Sequence, residues 1–154
     1  MTTSQTPSAA VHQLQAETVD PAEMQRALTR FKSLERKWRQ VPIGQKLADQ
    51  FSEPERLELI ALLDRLLRPG NWEQTSTIVE RLLAIYPGFQ ADRPVSVAED
   101  WVRKLLELPL ASVWEAYDKL IEQPGQFAPS LGDFLQRVKA HTETLRRLRL
   151  ELGR

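Results

Sequence analysis

The chain has 154 residues, 21 acidic and 21 basic side chains and no cysteine. That length fits one compact domain with room for a short arm. The missing thiols exclude disulfides and thiolate metal sites. The first twenty residues carry two acids, no base and no apolar run, so no signal peptide is expected. No apolar run reaches the ~18 residues of a membrane span, and a cytoplasmic protein without membrane contact is the expectation.

Charge is unevenly spread. Residues 21–70 hold ten bases against seven acids, residues 71–130 five against nine, and residues 131–154 six against three. An acidic middle therefore lies between two mildly basic flanks.

Residues 1–19 are rich in Ser, Thr, Gln and Ala without an apolar period, and read as a disordered arm. Asp20-Pro21-Ala22-Glu23 then opens a helix: Asp20 is placed to cap free N–H groups, and Pro21 suits the first helical position. Met24, Ala27, Leu28, Phe31, Leu34 and Trp38 form its apolar stripe, with Arg26, Arg30, Lys32, Arg36, Lys37 and Arg39 opposite. Val41-Pro42-Ile43-Gly44 breaks it, and a short helical piece follows within 45–51. Ser52-Glu53-Pro54-Glu55 is a capping box that starts a leucine-dense helix ended by Pro69-Gly70. A third helix opens at Asn71 or Trp72 and stops at Tyr86-Pro87-Gly88-Phe89, before a loop over 88–95. Ser96-Val97-Ala98-Glu99 reads as a second capping box, and Pro109 ends or kinks the helix it starts. Val113, Ala116, Tyr117, Leu120 and Ile121 stripe the next helix. Gln123-Pro124-Gly125-Gln126 is a turn, Phe127-Ala128-Pro129 an extended piece with Phe127 as a core anchor, and Ser130 the cap of the last helix.

The pattern predicts an all-α protein: a compact bundle of five to six helices over residues 20–140, after the arm. Past His141 the stripe continues as Leu145, Leu148 and Leu152 among Arg146, Arg147, Arg149 and Arg154. Residues 141–154 are expected to project as an amphipathic helix. An isolated helix this short is marginal in water, so it is docked, self-associated or ordered only on binding.

No motif for catalysis stands out. His12 and His141 are far apart, no HExxH or phosphate-binding GxxxxGK[ST] occurs, and the glycines sit singly in turns. No enzyme activity, metal or cofactor is expected, and His141 reads as a surface residue. Trp38, Trp72 and Trp101 coincide with apolar stripes or helix starts. Trp114 lies off the centre of its stripe; it either packs against a second helix or is exposed, and it is the better candidate for a contact. The basic residues Arg26, Arg30, Arg36, Lys37 and Arg39 are candidates for a weak DNA contact.

One ordered set of residues carries a family resemblance: Tyr86, Pro87 and Phe89; Trp101 and Leu105; then Phe127, Pro129 and Ser130 before a final helix. Over residues 75–140 this order resembles the folded domain of the phage replicative-helicase loader/inhibitor family, small all-helical proteins that bind the hexameric replicative helicase. The resemblance implies a non-enzymatic adaptor of phage or prophage DNA replication that loads or restrains the helicase. In the family the recognisable domain stands near the N-terminus and a flexible C-terminal segment engages the helicase. Here about 70 residues precede it. The stand-in for that segment is Leu145, Arg146, Arg147, Leu148, Arg149 and Leu152, a stretch equally suited to self-association. The alternatives are nucleic-acid binding through the basic helix over 21–39, or an interaction module of another pathway.

Overall fold

The computed structural model describes residues 18–85, 95–122 and 130–153. These residues form six α-helices and one short 3-10 turn. They are α1 (Pro21–Arg39), the 3-10 turn (Leu47–Gln50), α2 (Glu53–Leu66), α3 (Trp72–Ile85), α4 (Val95–Leu105), α5 (Leu110–Glu122) and α6 (Leu131–Gly153). The arm over 1–17, the residues Tyr86, Pro87 and Phe89, the turn at 123–126, and Phe127 and Pro129 lie outside the described residues. No helix among the described residues is long and apolar enough to cross a membrane.

The local signals set the helix starts unevenly. The Ser52 hydroxyl oxygen accepts from the Glu55 N–H and the Glu55 carboxylate accepts from the Ser52 N–H, so the capping box is complete. Hydrogen bonding to the Glu55 carboxylate, first from the Ser52 backbone and then from its side chain, lowers the Glu55 pKa from its ordinary value. Ser130 caps α6 through the Asp133 N–H at 3.0 Å. Asp20 departs from expectation. Its side chain makes no capping bond, and α1 starts on Pro21 while the Asp20 carbonyl accepts from the Met24 N–H. Proline has no N–H to satisfy and is already set for the first turn, so the start survives without the cap. The second capping box is not described: α4 begins at Val95, and the Ser96 side chain lies outside the described residues.

Helix α6 is the spine, packing chiefly against α2 and α5, while α3 lies against α4 and α5. One continuous core joins them, with Phe31, Leu63, Leu82, Leu105, Phe134, Leu145 and Leu148 essentially out of solvent. The Trp101 and Phe134 rings, 5.9 Å apart, tie α4 to α6. Pro109 stands between the end of α4 at Leu105 and the start of α5 at Leu110. It pairs with Pro69 as an isolated antiparallel bridge, and the Leu110 N–H donates to the Arg68 carbonyl at 3.2 Å. Gly70 lies against Leu110 so closely that a Cβ there would stand 2.8 Å from Leu110 Cδ1. Only a residue without a side chain permits that crossing.

The projecting tail is the main correction. Leu145, Leu148 and Leu152 are each 0% exposed, and α6 runs unbroken from Leu131 to Gly153. The reason is register. Phe134, Val138, His141, Leu145, Leu148 and Leu152 recur at spacings of three and four, so the tail extends a stripe the body already buries. Residues 141–153 are therefore part of α6 and not a separate segment.

Candidate functional site

The residues assigned to a partner-binding tail separate into two groups. The three leucines are core. Of the arginines, Arg149 donates from Nε to Asp64 on α2 at 2.8 Å, and Arg146 pairs with Glu143 at 3.3 Å. Arg147 lies 5.3 Å over the Trp38 ring on α1. From the other side, Arg56 Nη1 donates to the Leu152 carbonyl at 2.8 Å, closing the C-terminal end of α6. These contacts leave the leucines no role at a free surface.

The basic residues of α1 do remain at the surface: Arg26, Arg30, Arg36, Lys37 and Arg39 are all exposed. Arg39 is neutralised by Glu35 at 3.0 Å. Arg26, Arg30, Ser33 and Lys37 follow at spacings of four, three and four. They therefore stand on one ridge, ~16 Å from end to end. Beside that ridge a groove of about 250 Å³ opens between α1 and α2. Its floor is Leu34, Phe51 and Leu59, and its rim carries Arg30, Ser33 and Lys37. Lys37 Nζ sits 4.6 Å above the Phe51 ring. Here exposed charge borders a small opening in which Phe51 is the partly exposed apolar side chain and Leu34 and Leu59 are buried.

A second constellation lies inside. His141 Nδ1 is 2.8 Å from Ser112 Oγ, and Thr142 Oγ1 is 3.0 Å from Ser112 Oγ and 2.8 Å from the Val138 carbonyl. Each hydroxyl has one proton. The carbonyl can only accept, so the arrangement that satisfies every contact runs from His141 Nδ1–H to Ser112, from Ser112 to Thr142, and from Thr142 to Val138. His141 Nε2 is left as a bare, buried lone pair without a partner. Burial, and then the Lys32 and Lys119 ammonium groups, push the His141 pKa down to about 4. The ring packs edge-on against Phe31 with centroids 5.2 Å apart. Ser112 is 0% exposed and lies within this chain, so the pair joins α5 to α6 and presents no nucleophile to a substrate. One turn along α5, the buried Glu115 carboxylate meets Lys32 at 3.4 Å, an ion pair without a well-formed hydrogen bond.

A third feature is a cleft of about 280 Å³ at the start of the described chain, lined by Val19, Met24, Thr77, Arg81, Leu110 and Trp114. Gln74 holds Val19 by its backbone there: the side-chain amide donates to the Val19 carbonyl at 2.6 Å and its oxygen accepts the Val19 N–H at 3.1 Å. Trp114 is half-buried, packed against the core while it lines this cleft.

Comparison with protein-family models, with curated proteins and with solved structures found no match.

Sequence reasoning placed the α1 cations correctly at the surface but missed the groove, because Phe51 and Leu59 reach it from outside α1. It also read His141 as a surface residue. The signal against that reading was its place in the stripe between Val138 and Leu145. Of the residues that carry the family resemblance, Trp101 and Leu105 are buried and Ser130 is a helix cap.

Proposed function

We propose that the chain is a non-enzymatic adaptor of phage or prophage DNA replication that binds the hexameric replicative helicase and loads or restrains it in the cytoplasm. The ordered set around Trp101, Leu105 and Ser130 carries this reading, since it resembles the loader/inhibitor family in helix order and spacing. Two of those residues are buried side chains and one is a cap, so they bear on the fold and leave the contact surface to other residues. The exposed face of α1 takes the place that the tail leucines were expected to hold.

Capture of purified replicative helicase by the full-length protein, with and without ATP, tests the reading. A complex that co-elutes on size-exclusion chromatography supports it, and no complex in either state overturns it. One observation favours a second reading, a weak DNA contact: Arg26, Arg30, Arg36 and Lys37 are exposed and have no ion-pair partner among the described residues. A DNA affinity that falls steeply with salt, and that is lost on reversing these charges, would favour it.

A further inference from the structure

We propose that the groove between α1 and α2 is a docking site for an acidic protein segment carrying one large apolar side chain. This rests on the adaptor reading and names the chemistry of the contact.

The apolar part comes first. Leu34 and Leu59 are almost fully buried, and the partly buried Phe51 joins them in the floor of an opening of about 250 Å³. Small-molecule sites start near ~300 Å³, so the opening is undersized for a cofactor and suits a single anchoring side chain. The charge pattern comes second. Four arginines are matched by an acid on their own helix: Arg39 by Glu35, Arg56 by Glu53, Arg103 by Glu99 and Asp100, Arg146 by Glu143. Arg26, Arg30 and Lys37 have no carboxylate within ion-pair distance among the described residues. Lys37 does act on Glu55 from farther away, but that carboxylate is held by the Ser52 cap. The ridge thus keeps three cations beside an apolar floor, the complement of a segment with carboxylates flanking an apolar anchor.

Nucleic acid fits less well. Phosphate contacts make no use of an aliphatic floor, and Lys37 already covers one face of the Phe51 ring that a base would stack on.

The test is a titration of the full-length, isotope-labelled protein, followed by amide chemical shifts, with three probes. They are a glutamate-rich peptide with a leucine stripe, the same peptide with serine for leucine, and a single-stranded oligonucleotide. The leucine peptide is expected to shift residues 29–37 and 51–59. Replacing its leucines should weaken binding about tenfold or more. So should the double variant Arg30→Glu, Lys37→Glu, and so should Ser33→Trp, which blocks the groove without changing charge. All three positions are exposed, so the fold is retained. Equal binding by the serine peptide, shifts elsewhere, or a stronger response of the same residues to the oligonucleotide overturns the proposal. Peptide docking without helicase capture leaves the groove standing and removes the helicase as partner. Helicase capture unaffected by both sets of variants removes the groove and leaves the adaptor.

Discussion

Arg149 reaches from α6 to Asp64 on α2, with Nε 2.8 Å from the carboxylate, and ties the last turns of the chain to the body. Both side chains are partly exposed, so the pair itself contributes little, about 0.2–1 kcal/mol. The buried leucines beneath it supply the attachment. Leu148→Ala is expected to lower stability by about 2–5 kcal/mol, whereas Arg149→Ala costs about 1 kcal/mol or less. Urea unfolding of the two variants checks this. A chain ended at His141 loses Leu145, Leu148 and Leu152 from the core and is expected not to fold cooperatively, so such a truncation reports on folding before it reports on any partner.

His141 makes stability depend on pH. Its folded pKa is pushed from 6.5 down to about 4. Between those values the unfolded chain takes up a proton that the folded chain refuses, so stability falls as pH drops through the window and stops falling below it. The loss is about 3 kcal/mol in full. Unfolding free energies at pH 7 and pH 4.5 measure it. His141→Gln should be less stable at pH 7, where the hydrogen-bond chain is intact, and should lose less on acidification. An equal acid loss in both proteins would show that His141 is not the group responsible.

Gly70→Ala tests the crossing of the α2–α3 turn with α5. The added Cβ would stand 2.8 Å from Leu110 Cδ1 and 2.9 Å from Leu110 Cβ. Something must shift, at about 1–3 kcal/mol. Gly132→Ala is the control: its Cβ would meet nothing closer than Ser130 Oγ at 3.8 Å. Thermal melts of the two variants should differ clearly, with the Gly70 change the harmful one.

Gln74→Ala removes both bonds to the Val19 backbone. Global stability is expected to fall by about 1–2 kcal/mol. The more specific outcome is local: the Val19 amide should lose its protection from hydrogen exchange while amides in the middle of α3 keep theirs. Unchanged protection at Val19 would mean that the segment is held by its packing rather than by the glutamine.

Much of the architecture is legible in residue order. Ser52 with Glu55, Ser130, Pro21 and the Pro69-Gly70 stop act within a few residues of themselves, so their effects can be read from the chain. The same holds for the stripes of α1, α2 and α6. Readings failed where a residue's role depends on a distant partner. His141 has a polar side chain and looked solvent-facing, but Ser112 on α5 supplies its bond and Phe31 on α1 its apolar wall. The Leu145–Leu152 stripe is amphipathic whether it projects or docks. Periodicity defines a face, and the face alone does not say what covers it.

The sequence by itself determined that this is an all-helical protein of five to six helices, that the α1 cations lie away from the apolar stripe, and where most helices start and stop. Those properties follow from backbone sterics, capping and periodicity, which act over one or two turns. Only the tertiary structure decided that the last helix is core, that Ser112, His141 and Thr142 form one buried chain, and that Leu34, Phe51 and Leu59 meet under the α1 ridge. Each brings together side chains from separate helices. Such encounters are set by how the whole set of apolar faces can be buried at once, a condition no single segment contains.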